Sequence, residues 1–408
     1  MKIIKMKEEN KENKKNTENN SNNYSDYQNR ILKFLLEENI SKINLKSSND
    51  INEYFIHNKS KFNTSLKDLN SKILTNIGHK NDSANLTNEL KKCYKSERLV
   101  FVLGAGVSMG YGLPSWDILL QKLMVNTIEK ESEVSTVLSK LFSKIFNPSP
   151  LIAGRYLQSY FEKNDLKFEN EVRKILYQEY STDFKSDLMQ EILKICIAPG
   201  KSPNLNSIIT YNFDDILEHT LKNSQLDLPF KSIYGNGIEV EAGELPIYHV
   251  HGYLPRTGQL TESNKITFGE NVYHQQYINM YSWNNIVQIN KFRENNCLFI
   301  GTSLTDPNTR RLLDIANQQR TKKDGSHFIF KKKYKTEYVS KMLKVILNDN
   351  QDILNQKNQT SQNFNETVDN LINIIQSFEE NDLNSFGIKT IWIDEFEEIP
   401  ELISKIRK

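Results

Sequence analysis

Four short apolar runs limit what this chain can fold into, because each ends on small or polar residues and helical spacing follows three of them. The first, LVFVLG at 99–104, is continuously apolar, as a strand buried on both faces requires. The others are SIITYNF at 207–213, IYHVHGYL at 247–254 and NCLFIGTSL at 296–304. HFIFKKK and KTIWID read as late strands. Between them, SWDILLQKLMVNTI, STVLSKLFSKIF, ENEVRKILYQEY, DLMQEILKICI, DDILEHTLKN and EIPELISKIRK carry helical spacing. DPNTRRLLDIANQQ adds a helix with Asp306 as N-cap and Pro307 in its first turn. Strands alternating with helices predict an α/β fold: a doubly wound, Rossmann-like parallel sheet with a smaller helical lobe at about 115–200.

The flanks differ in character. Residues 1–25 are almost all Lys, Asn and Glu and are expected to be disordered. Residues 26–85 carry two amphipathic patterns, QNRILKFLLEENISKI and LKDLNSKILTNI, and predict a helical extension suited to homo-oligomer contact. An Asn/Gln-rich stretch at about 349–365 reads as a surface insertion in a domain running from 86 to 408. With 53 basic against 51 acidic residues, the chain is not built to coat nucleic acid, which is expected only as an indirect partner. Cys93, Cys196 and Cys297 form no CxxC pair, so neither a disulfide framework nor a zinc ribbon is expected, and no metal. The absence of a long apolar run or a signal-like start predicts a cytoplasmic protein with no membrane contact.

Chemistry-bearing residues gather at the ends of the four runs. Gly104, Ala105 and Gly106 end the first strand on bare backbone, which suits close approach to a phosphate; the plain alternative is a glycine-rich connection that binds nothing. The dinucleotide pattern GxGxxG is not met, since Met109 holds its last position. Thr210, Asn212 and Asp214 end the second run, at the sheet edge where ligands bind. Asn212 suits a ribose hydroxyl or a water, whereas Asp214 or Asp215 could simply cap the next helix. His249 and His251, two apart, are expected on one strand face; His251, beside Gly252, reads as a general base or ribose contact rather than a metal ligand. Gly301, Thr302 and Ser303 end the fourth run with groups suited to ribose or phosphate oxygens.

Taken in order, GAGVSMGYGLPSW, TYNFD, HVHG and GTSL resemble the motifs of the sirtuin-like family, over most of residues 86–408. The resemblance implies a pocket for NAD as substrate. It implies that Gly104, Ala105, Gly106 and Ser108 lie along phosphates and ribose, with Pro114, Trp116 and Thr210 on the same cofactor side. It implies Asn212 and Asp214 at the nicotinamide ribose, His251 as catalytic histidine, and Gly301, Thr302 and Ser303 on the adenosine side. The deacylase branch carries a four-cysteine zinc ribbon and an acidic-aromatic-basic run after its proline; here three scattered cysteines and Ser115-Trp116-Asp117 stand instead. Both departures are shared with bacterial anti-phage effectors that hydrolyse NAD to nicotinamide and ADP-ribose, causing abortive infection. That resemblance implies a trigger protein such as a HerA-like ATPase. A NAD or ADP-ribose sensor and a protein deacylase are the competing expectations.

Overall fold

The computed structural model describes residues 83–132, 149–164, 166–196, 205–224, 228–320, 327–348 and 360–408. The polar tail, both amphipathic patterns of the extension, STVLSKLFSKIF and positions 349–359 lie outside the described residues. The chain divides into two compact units, Met1–Lys80 with Lys333–Asn381, and Asn81–Lys332 with Asp382–Lys408. In the first, the described helices are α10 (Thr336–Asn348) and α11 (Thr360–Ser385), whose last turn belongs to the second unit. Tyr334 donates its hydroxyl to Glu379 of α11.

The second unit holds a seven-stranded, all-parallel sheet in the order β3-β4-β2-β1-β5-β6-β7. Its strands are β1 (Leu99–Leu103), β2 (Leu205–Thr210), β3 (Phe230–Ile233), β4 (Leu245–His249), β5 (Asn296–Ile300), β6 (His327–Lys332) and β7 (Ile388–Ile393). The doubly wound α/β expectation holds. β1 lies at the centre, with Val102 registered on Ile209 of β2 and on Phe299 of β5. Every β1 side chain is buried, and alternation divides them between two cores. Leu99, Phe101 and Leu103 face one cluster; Val100 and Val102 face the other. Full burial of each such side chain contributes roughly 1.5–3 kcal/mol, so two-sided burial of β1 is a large share of what holds the sheet.

The first core is covered by α1 (Ser83–Lys95), α5 (Asp187–Cys196), α6 (Ile216–Lys222) and α12 (Ile399–Arg407). Ile399, Ile403 and Ile406 give α12 one apolar stripe, and it lies against α1 and α5. The helical lobe packs α2 (Trp116–Ser132), α3 (Pro150–Lys163) and α4 (Phe168–Leu176) together. The second core is covered by α8 (Trp283–Glu294), with Phe292, and α9 (Pro307–Gln318), with Leu312, Leu313 and Ala316. A further helix, α7 (Glu270–Ile278), contacts α3 and α9. The expected α9 cap is present: Asp306 Oδ1 accepts from the Thr309 N–H at 2.6 Å, and Pro307 follows it.

β2, β3 and β4 all lie on one side of β1, and after β4 the chain crosses to β5 on the other side. The winding therefore reverses between β1 and β5, where a parallel sheet leaves a crevice at its carboxyl edge. Here the two strand ends are closed onto each other through backbone. Gly104 N–H donates to Ile300 O at 3.0 Å, and Gly106 N–H to Gly301 O at 2.9 Å. A Cβ on Gly104 would stand 2.5 Å from Gly301 O, and one on Gly106 2.8 Å from Gly301 Cα. Gly301 has φ +68° and its own Cβ would meet Val107 N at 2.7 Å. The glycines are thus required by the mutual approach of the two loops.

Gly301→Ala should lower stability by about 2 kcal/mol or more, read from the urea midpoint, since it adds a clash to left-handed strain. Gly258, with φ +90° and nothing within 4 Å of a Cβ, is the control. Its alanine variant should lose only about 1 kcal/mol. Equal losses would mean that the two loops separate freely.

Candidate functional site

β2 ends at Thr210, and the backbone continues its pairing as Tyr211 N–H donates to Leu103 O at 3.0 Å. This holds Asn212 beside the glycine loop. Asn212 Nδ2 donates to Gly104 O at 3.1 Å and to Ser108 Oγ at 3.1 Å. Ser108 donates onward to Asp214 Oδ1 at 3.0 Å, an oxygen that also accepts the Ile216 N–H at 3.1 Å. Thr210 turns its hydroxyl inward to accept Asn212 N–H at 3.1 Å. Both amide hydrogens of Asn212 are used by protein, which leaves its Oδ1 as the acceptor it can offer elsewhere.

Asp214 is buried, and burial pushes its carboxyl up to about 6 against the pull of Ser108 and the Ile216 N–H. Of the two aspartates, Asp214 is the one whose side chain meets the start of α6. Asp215 occupies the N-cap position of α6 but makes no side-chain cap; Asp214 takes the Ile216 N–H. Asp215 instead accepts from Arg256 Nε at 2.9 Å and Arg256 N–H at 3.1 Å. Tyr177 engages it as well: its hydroxyl accepts Asp215 N–H at 2.9 Å and lies 3.2 Å from Asp215 Oδ1.

The two histidines do not share a strand face. β4 ends at His249, and residues 250–252 turn, with Gly252 at φ +105° and no room for a Cβ beside Lys265 O. His249 Nε2 lies 2.5 Å from Glu218 Oε1, which also accepts Ser232 Oγ at 2.9 Å, and its Nδ1 lies 3.3 Å from Asn212 O. Burial alone would raise the Glu218 carboxyl, but the His249 ring, by charge and hydrogen bond, and Ser232 hold it below its ordinary value. His251 turns elsewhere, edge-to-face on Tyr211 at 4.8 Å and on Tyr273 at 6.1 Å between ring centres. It is 8% exposed, and its buried Nε2 has no hydrogen-bond partner among the described residues. Burial pushes its pKa below the usual histidine value, opposed by the Asp306 carboxylate, so the ring is neutral near pH 7. Among the described residues no three His, Cys, Asp or Glu side chains gather as a metal set.

Gly106, Gly301 and Ser303 are exposed along the same edge, with Ala105 half-buried. Thr302 Oγ1 accepts Leu304 N–H at 3.3 Å, and the Ser303 and Thr305 hydroxyls are 2.8 Å apart. The glycine loop is two single 3₁₀ turns, Ala105–Val107 and Met109–Tyr111, and the next α-helix begins at Trp116, as the helical spacing of SWDILLQKLMVNTI predicts. Pro114 is half-buried, and Trp116 packs on Phe268 (4.6 Å) and Phe213 (6.1 Å). The structure thus brings Gly104, Ser108, Thr210, Asn212 and Asp214 into one bonded cluster, with His251 one strand away. A cleft of about 680 Å³ lined by Tyr111, Phe184, Leu193 and His219 contains none of these residues.

Sequence reading missed Glu218, Tyr211 and Tyr273. It also missed a buried amide chain in which Asn308 donates to Gln276, Gln276 to Thr267, and Asn284 to Val250 O. The available signal was the run of Asn and Gln in α8, polar residues placed where a covering helix needs apolar ones.

Residues 206–351 match the SIR2-like domain family. A comparison with curated proteins gives no match. The matched span contains Asn212, Asp214, His251 and Gly301–Ser303, while the glycine loop after β1 precedes it. The match supports a sirtuin-like family and an NAD-dependent kind of enzyme.

Asp214→Asn keeps both acceptor contacts and removes the buried charge. Because Asp214 binds its proton more tightly folded (about 6) than at its ordinary 3.8, ionisation costs stability above pH 6 and costs nothing below 3.8. The variant should therefore be more stable by about 1–3 kcal/mol at pH 8, with the gain vanishing toward pH 4. Urea unfolding at the two pH values measures this; equal stabilities at pH 8 would mean the carboxylate is solvated.

Proposed function

We propose that this chain hydrolyses NAD at the nicotinamide–ribose bond, releasing nicotinamide and ADP-ribose. The observation that carries the reading is a buried, unpartnered His251 Nε2 one strand from the Asn212–Ser108–Asp214 chain of hydrogen bonds. The family match at 206–351 agrees with it. NAD supplies a cationic leaving group, which departs with the bonding pair as positive character develops on the ribose. Asn212 Oδ1 is free to accept from a ribose hydroxyl or a water. Asp214, ionised above pH 6, faces that region with negative charge. His251, kept neutral by burial, accepts the proton lost as water oxygen bonds to the anomeric carbon. Ser108 fixes Asn212 and Asp214 relative to each other.

An NAD-depleting effector of anti-phage defence, in the cytoplasm, is the role we propose for this chemistry. Such an enzyme needs restraint, and we propose a homo-oligomer held or released by a separate protein of the HerA-like ATPase kind.

Purified full-length chain, alone and with such an ATPase, should release nicotinamide and ADP-ribose in equal amounts. His251→Ala and Asn212→Ala should each lose at least about 100-fold while remaining folded. NAD binding without turnover in either setting would favour a sensor. Release of a deacylated peptide with O-acyl-ADP-ribose would favour a deacylase.

A further inference from the structure

The first turn of α9 reaches His251 by two routes. Asp306 divides its carboxylate: Oδ1 caps the helix through Thr309 N–H, and Oδ2 accepts the Tyr273 hydroxyl. The Tyr273 ring lies edge-on to His251, whose other edge contact is Tyr211. Two residues on, Asn308 Nδ2 donates to Gln276 Oε1 at 3.0 Å, and Gln276 Nε2 donates to Thr267 Oγ1 at 2.9 Å. Thr267 N–H in turn donates to His251 O at 2.7 Å. So the ring and the backbone of His251 are both tied to one helix start. That start follows Gly301–Thr305, the loop clamped against β1.

A capping aspartate has no need of a second, buried tyrosine partner. Tyr273 is itself buried, and a phenol out of water is satisfied only if its hydroxyl finds an acceptor. We infer that Asp306 is a positioning residue for His251, holding the ring through Tyr273 and countering the positive charge the ring takes up with a proton. This rests on His251 as the base of the proposed reaction. The groups facing the ring support it. Tyr211 is hydrogen-bonded to Gln288 Oε1 at 2.7 Å and held neutral by burial. Tyr273 and Tyr277 of α7 are likewise pushed up by burial and by Asp306. Arg311 of α9 is stacked on Tyr277 and bonded to Asn308 Oδ1 at 2.7 Å. Asp306 is thus the anionic group acting on His251, and it opposes the effect of burial on the ring.

Asp306→Asn removes the charge and keeps the helix cap, because asparagine is as good an N-cap, while its Nδ2 takes the place of the oxygen that accepts the Tyr273 hydroxyl. The histidine ring protons of the full-length chain are followed by NMR against pH, with His251 assigned from the His251→Gln variant. In folded Asp306→Asn the His251 midpoint should fall by about half a unit or more. The acid limb of kcat should move to lower pH with it, and the kcat plateau should drop several-fold with KM little changed. A purely structural cap would leave the His251 midpoint where it is, and that result would overturn the inference. Where Asp306→Asn does not fold, Tyr273→Phe, which unties the carboxylate but keeps it, decides by the same titration: a moved midpoint supports the inference, an unmoved one overturns it. The titration needs no turnover, so absence of NAD cleavage would remove the proposed reaction while leaving the Asp306–His251 coupling to stand or fall on its own.

Discussion

The contact between the backbones of Gly106 and Gly301 is what the carboxyl edge of the sheet depends on. It extends the β1–β5 pairing past both strand ends, from Gly104 N–H on Ile300 O to Gly106 N–H on Gly301 O. With Gly104 held there, its carbonyl is in place to accept Asn212 Nδ2, and the end of β2 is bound to the end of β1. β4 joins through Val250 N–H on Thr210 O at 3.2 Å. Four strand ends are therefore tied laterally, and the side chains between them are positioned by backbone rather than by flexible loops. A side chain at any of the three glycines would have to displace main chain, which a flexible neighbour cannot absorb.

What could be read from the sequence follows from how much each element says about itself. LVFVLG announces a two-faced strand because all its residues are apolar, and Asp306-Pro307 announces a helix start because cap and proline are local chemistry. The edge strand β3 was not legible: FKSI is short, half-exposed and carries a lysine. The helices α7 and α8 were not legible either, since their buried faces include Tyr273, Gln276, Asn284, Asn285 and Gln288. The positions of Asn212, Asp214 and His251 at one edge followed from parallel pairing alone. What each side chain bonds to did not. His249 and His251 are two apart, and only the turn at Gly252 separates their surroundings. Asp214 and Asp215 are adjacent, and only distant Tyr177 and Arg256 decide which one caps.

The polar interior behind His251 has its own logic. Each buried amide would cost on the order of 1–3 kcal/mol if unsatisfied, so the chain from Asn308 through Gln276 to Thr267 has to be complete to be tolerated. A complete network admits few arrangements, whereas an apolar core of the same volume repacks with ease. Rigidity is therefore concentrated beneath a ring whose Nε2 is itself left without a partner.

Two buried carboxylates beside Asn212 show the same division. Glu218 Oε1 has the His249 ring at 2.5 Å and the Ser232 hydroxyl at 2.9 Å, so that oxygen is engaged inside the protein. Among the described residues Asp214 has a hydroxyl and a backbone N–H but no cation in contact, and burial pushes its carboxyl up to about 6. A protein selected for stability alone would carry asparagine there, because the two hydrogen bonds need only an acceptor. Keeping an acid that folding disfavours makes sense where a transient positive charge arrives from outside. Glu218 is less suited to that charge, since its Oε1 is already held by the His249 ring and the Ser232 hydroxyl. In the reaction we propose, Asp214, held by the Ser108 hydroxyl and the Ile216 N–H, is the carboxylate that would meet the cationic centre.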